Sequence, residues 1–139
     1  MGLWVGCRAG ERRGRAGSVV ADGGSICSAR SGKVLGWFTG QAAALSLTGR
    51  LVVTLTAAPP FPFGSIQVLD WRSHTTLLRI PVMSDAAPWV AALDQPDGNG
   101  LLLTVTTEPA LGTGTADAWL VVPGRTARHV ASGVVQGVD

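Results

Sequence analysis

The chain has 139 residues, enough for one domain around a single core; 46% are hydrophobic and only 14% charged. That balance excludes a disordered chain, and the frequent Gly (19) and Pro (8) punctuate short apolar runs, the pattern of an all-β protein rich in turns. The net charge is +2, ten of the eleven basic residues are Arg, and they form no continuous basic stripe, so nucleic acid is not an expected partner.

The N-terminus, "MGLWVGCRAG", carries an apolar patch only from Leu3 to Cys7. It is too short for a signal-peptide core and no basic residue precedes it. As the chain stands this favours a cytoplasmic location; a start further upstream would allow an extracytoplasmic one. No apolar run reaches the length of a membrane helix, so no membrane partner is expected. Four Arg fall between Arg8 and Arg15, beside Glu11, and read as a solvated loop. The two cysteines, Cys7 and Cys27, define no disulfide framework and lack zinc spacing. Two free, buried thiols are expected, with a Cys7–Cys27 bridge as the alternative. "GSICSARSGKVLGWF", Gly24 to Phe38, is a β-rich run, a polar turn and a second β-rich run.

The middle of the chain predicts four antiparallel strands: Ala43–Leu47, Leu51–Thr56, Ser65–Leu69 and Thr76–Val82. The plan then recurs. Ala43-Ala44-Leu45 matches Ala91-Ala92-Leu93 at an offset of 48 (91 − 43). Leu51 to Thr56 matches Leu101 to Thr106 at an offset of 50 (101 − 51), which assigns two extra residues to the turn between. "DAWLVVPGRTARHV", Asp117 to Val130, repeats the plan of "GSIQVLDWRSHTTLLRI", Gly64 to Ile80. The unit of four short strands is read three times, over residues 3–38, 42–82 and 88–131, within a single β domain spanning 1–139. A period of about 40 to 50 residues with four strands each is the signature of propeller blades.

"QPDGNGLLLTV" resembles the Ser-Pro-Asp-Gly hairpin between the first two strands of WD-repeat-like and related prokaryotic β-propellers, and "SIQVLDWRSHTTLLRI" resembles their third and fourth strands. The resemblance covers most of the chain. The Gly-His and Trp-Asp dipeptides of the strict repeat are absent, and "SLTGR" replaces the Pro-Asp-Gly turn in the second unit. It implies a degenerate propeller of about three blades and, as function, a non-catalytic protein-interaction or scaffold module. Propellers close with about four to eight blades. Three are expected to be a fragment of a longer protein that completes a larger ring; the alternatives are assembly with another copy through open blade edges and an open β sandwich. The closing "GVVQGVD" reads as the start of a further strand. The alternative function is a propeller-type hydrolase or lyase whose site further blades complete.

No catalytic residues, metal ligands or cofactor are expected. In "DQPDGNG", Asp97 and Asn99 mimic part of a calcium loop, but calcium takes about six to eight oxygens, and Gln95 and Leu103 stand at two of the required positions. The stretch is instead a hairpin turn, where Asp-Gly and Asn-Gly supply positive φ. His74 lies in a polar turn and His129 in a last strand, neither with an evident acidic partner. No Gly-x-Ser-x-Gly elbow occurs, and "GTGT" precedes no phosphate-binding helix.

"APPFPF", Ala58 to Phe63, is the least ordinary stretch, since free loops are usually polar. In a meander the second-to-third loops and the links between units share one end. Ala57–Phe63, Met83–Pro88 and Thr107–Ala116 are expected there as long loops. Phe61 and Phe63 are the expected anchors for a protein partner, with Met83, Pro88 and Leu111 around them. The other reading tucks both rings under a neighbouring unit.

Overall fold

The computed structural model describes residues 15–16, 19–22, 24–46, 49–86, 88–95, 100–107 and 113–136. These contain no helix. Twelve strands form three antiparallel sheets, and in each the neighbours in space are neighbours in sequence. The first sheet holds β1 (Arg15–Ala16), β2 (Val19–Asp22), β3 (Ser25–Ser28) and β4 (Val34–Trp37). The second holds β5 (Gln41–Leu45), β6 (Leu51–Ala58), β7 (Phe61–Asp70) and β8 (Thr75–Ser84). The third holds β9 (Trp89–Asp94), β10 (Leu101–Thr107), β11 (Thr113–Val121) and β12 (Arg128–Gln136). The four strands expected in the middle unit are present. Here β5 starts and ends two residues earlier than expected, and β6, β7 and β8 are each longer.

The second sheet lies between the other two. Leu51, Val53, Ile66 and Val68 pack against Leu101, Leu103, Val105 and Val121 of the third sheet. The opposite face of β6 presents Val52, which packs with Val19, Ala21 and Ile26 of the first sheet and with Trp71. This explains the sequence of β6. A strand buried on both faces needs a continuous apolar run rather than alternation, and "LVVT" is fully buried throughout.

Trp71 fastens the first two sheets together. Its indole Nε1 donates a hydrogen bond to the Gly49 carbonyl, 2.6 Å away, in the turn between β5 and β6. Its ring lies over Gly36 of β4, where a Cβ would fall 2.7 Å from Trp71 Cε3. Only glycine admits so close a ring.

Three expectations are corrected. Ala57–Phe63 is not a loop. Ala57 and Ala58 continue β6, Phe61–Phe63 open β7, Ala58 pairs with Phe61, and the turn is Pro59-Pro60 alone, with a cis bond between the prolines. Pro has its φ already set for a tight turn, so two prolines here make a hairpin rather than break one. The offset between the second and third sheets is also different. The β5–β6 hairpin closes with Ser46 N–H donating to the Leu51 carbonyl, and the β9–β10 hairpin with Gln95 N–H donating to the Gly100 carbonyl. Ser46 therefore corresponds to Gln95 and Leu51 to Gly100, a common offset of 49 (95 − 46, 100 − 51). The two turns have equal length, and the offsets of 48 and 50 were each one residue out of register. Finally, Cys27 is not a free thiol: it is disulfide-bonded and fully buried. The chain's other cysteine, Cys7, lies outside the described residues, as do most of the Arg cluster and Asp97 and Asn99.

Candidate interaction surface

At the end where β6 turns into β7, the local sequence builds a short apolar tip. Phe61 and Phe63 are both half-buried on the first residues of β7. Gly64 follows because the returning strand is close: a Cβ there would lie 2.6 Å from the Ala58 backbone nitrogen. Across the sheet, Phe63 pairs with Ser84 and Ser65 with Pro81, so β8 carries a bulge at Val82 and Met83. Met83 sits in it with φ of 50°, a left-handed conformation unusual for a side chain of its size. The bulge turns it outward, and it is 52% exposed.

Of the five expected anchor residues, the structure brings Phe61, Phe63 and Met83 to one tip. Pro88 lies in the link to β9 and is buried. Leu111 lies outside the described residues, with most of the β10–β11 connection. Met83 and Ser84 belong to β8, so the link between the second and third sheets is shorter than expected.

The larger apolar exposure was missed by the sequence reading. Trp89 is 72% exposed and Leu93 66%. In "WVAALD" the residues Trp89, Ala91 and Leu93 alternate with Val90 and Ala92, and Val90 packs in the core. That period of two was the available signal. Trp37 of the first sheet is 62% exposed.

Polar groups gather at the opposite end. Asp70, buried at the end of β7, accepts from Arg50 Nε at 3.0 Å and from the Arg72 backbone N–H at 3.3 Å. The pair borders an open cleft of about 580 Å³ between the β7–β8 and β11–β12 turns, which also presents Ser73, Thr75 and Arg125. Arg50 is committed to Asp70, so the cleft holds a structural ion pair and no paired acid and base. His74 is exposed in the β7–β8 turn with φ of 55°. His129 does have an acidic partner: its Nε2 lies 2.9 Å from Asp117 Oδ1 on the adjacent strand, and its ring packs against Trp119 at a tilt of 45°, the ring centroids 4.7 Å apart. No hydrogen bond between His129 and a hydroxyl is present among the described residues. Among the described residues no three His, Cys, Asp or Glu side chains gather as a metal site would require.

No family model, curated protein or solved structure matches the chain.

Proposed function

We propose that the chain is a non-catalytic protein-interaction and scaffold module of β-propeller type. Its three sheets serve as successive blades of a larger ring. The observation that supports this most is the stacking order: four-stranded meanders lie face to face in chain order, with the middle one covered on both sides. The partner binds at the tip formed by Phe61, Phe63 and Met83. Aromatic rings at the centre of an interface carry most of its energy, and losing one as a hot spot costs about 2 kcal/mol or more.

The test is capture of a partner from the source cell by cross-linking through the tip. Phe61→Ser combined with Phe63→Ser abolishes capture and keeps a cooperative melt. Met83→Glu, at an exposed position, weakens capture without touching the core. A double variant that unfolds assigns both rings to the core and removes the tip from the interface.

A second reading, a propeller-type hydrolase or lyase completed by further blades, draws on the Asp117–His129 pair. It requires an activity that disappears in His129→Ala while folding is retained.

A further inference from the structure

At the end of the sheets opposite the Phe61 tip, three turns converge. Arg50 ends the β5–β6 turn, Ser73 and Thr75 belong to the β7–β8 turn, and Arg125 to the β11–β12 turn. All four border the open cleft of about 580 Å³. That volume lies within the range of small-molecule sites, roughly 300–1,000 Å³.

The register decides which charges the cleft presents. Asp70 pairs with Leu51 on one side and with Thr75 on the other. Leu51 packs towards the third sheet, so Asp70 and Thr75 lie on that same face. The Asp70 side chain is only 5% exposed, and both its oxygens are engaged, Oδ2 by Arg50 Nε and Oδ1 by the Arg72 backbone N–H. The carboxylate is thus turned into the fold, where it holds the guanidinium, while the Arg50 side chain stays 54% exposed. The bond occupies Nε and leaves the fork of the two terminal nitrogens. That fork is the geometry that grips a carboxylate with two parallel hydrogen bonds.

Across the cleft, Gly124 has φ of 79° and open space where a Cβ would stand. The turn it makes is closed by Arg125 N–H, which donates to the Val122 carbonyl at 3.1 Å, and it brings the exposed Arg125 to the cleft. Two guanidinium groups therefore stand against one buried carboxylate, a net charge of +1, with no other ionisable side chain in the lining. Hydroxyls supply most of the remaining surface. Ser73 Oγ donates to Thr75 Oγ1 at 2.9 Å on one wall, and Thr126 stands beside Arg125 on the other. The apolar side chains are those of Leu77 and Ala127 alone.

We propose that this cleft binds a sugar acid, a small polyhydroxylated molecule with one carboxylate. The carboxylate sits between Arg50 and Arg125, and the ligand's hydroxyls meet those of Ser73, Thr75 and Thr126. Asp70 is a positioning residue that fixes Arg50. The net charge of +1 matches a monoanion and leaves a dianionic phosphate ester undercompensated. A peptide C-terminus offers the same carboxylate, but its last side chain needs an apolar pocket that Leu77 and Ala127 do not make.

Titration of the 139-residue chain with D-glucuronate, followed through amide chemical shifts, tests this. Saturable shifts are expected at Arg50, Ser73, Thr75 and Arg125, and none at Phe61 or Phe63. Arg125→Ala changes an exposed side chain, so far-UV circular dichroism should stay the same while glucuronate binding weakens about tenfold or more. Arg125→Lys keeps the charge without the fork and should recover only part of that loss. Acetate and D-glucose each carry half of the ligand's chemistry and should bind about tenfold more weakly or worse. No saturable shift at the cleft overturns the proposal, as does an Arg125→Ala variant that binds glucuronate as the parent does. Acetate binding as tightly as glucuronate would assign the cleft to any carboxylate. Tighter binding of glucose phosphate would assign it to phosphate esters, and tighter binding of tri-alanine to peptide C-termini; each of these three results also overturns the sugar acid. None of them touches the Phe61 and Phe63 tip, so the partner-binding proposal stands or falls separately on its own capture experiment.

Discussion

Thr54 is a β-branched residue at the centre of a strand, fully buried, whose hydroxyl has no hydrogen-bond partner. A buried donor left unpaired costs roughly 1–3 kcal/mol. Thr54→Val keeps the shape and removes the unpaired group, so the variant should gain about 1 kcal/mol, seen as a melting temperature higher by roughly 4 °C. A lower melting temperature would mean that the hydroxyl is satisfied in solution. Gly36 predicts the opposite sign. Its missing Cβ makes room for the Trp71 ring, and that ring cannot retreat, because its indole nitrogen is tied to the Gly49 carbonyl and its surface is almost wholly buried. Gly36→Ala should therefore cost about 1–3 kcal/mol through overpacking. It should also alter the fluorescence of Trp71, whose surroundings are the ones displaced. A variant as stable as the parent, with unchanged emission, would show that the two sheets separate at this point without penalty.

Among the elements, hairpins and strand order were legible in the sequence and strand register was not. "LVVTLT" and "LLLTVT" are the same kind of segment, β-branched and apolar, so their existence and pairing follow from composition and bounding turns. Their alignment by letter was one residue out, and in a strand that error exchanges the two faces. The physical reason lies in the packing. β6 is apolar on both sides because both sides are covered, so no alternation anchors the register. The hairpin closures do anchor it, and they place Ser46 at the position of Gln95 and Leu51 at that of Gly100. "SLTGR" thus stands where "QPDGN" stands, a match that the absent Pro-Asp-Gly letters concealed. The apolar tip was half legible. Two phenylalanines and a methionine were singled out and do share one end, yet the stretch holding the rings is a tight hairpin. The exposed face of the third sheet was not recognised, although Trp89, Ala91 and Leu93 alternate in plain view. Its significance depends on which face the second sheet covers, and that is tertiary information.

For the whole molecule, the asymmetry of the stack predicts an order of local stability. The second sheet has neighbours on both faces, so exposing its amides requires separating two interfaces, whereas each outer sheet can loosen by giving up one. Amide groups in well-covered strands exchange only through the largest opening events, and edge strands exchange through small ones. At dilution, hydrogen exchange should therefore be slowest in β6 and β7, around Val52, Val53, Ile66 and Val68, which are fully buried. It should be fastest in β12, an edge strand whose described side chains are exposed. Uniform protection across the three sheets at dilution would contradict the view of a central sheet held from both sides.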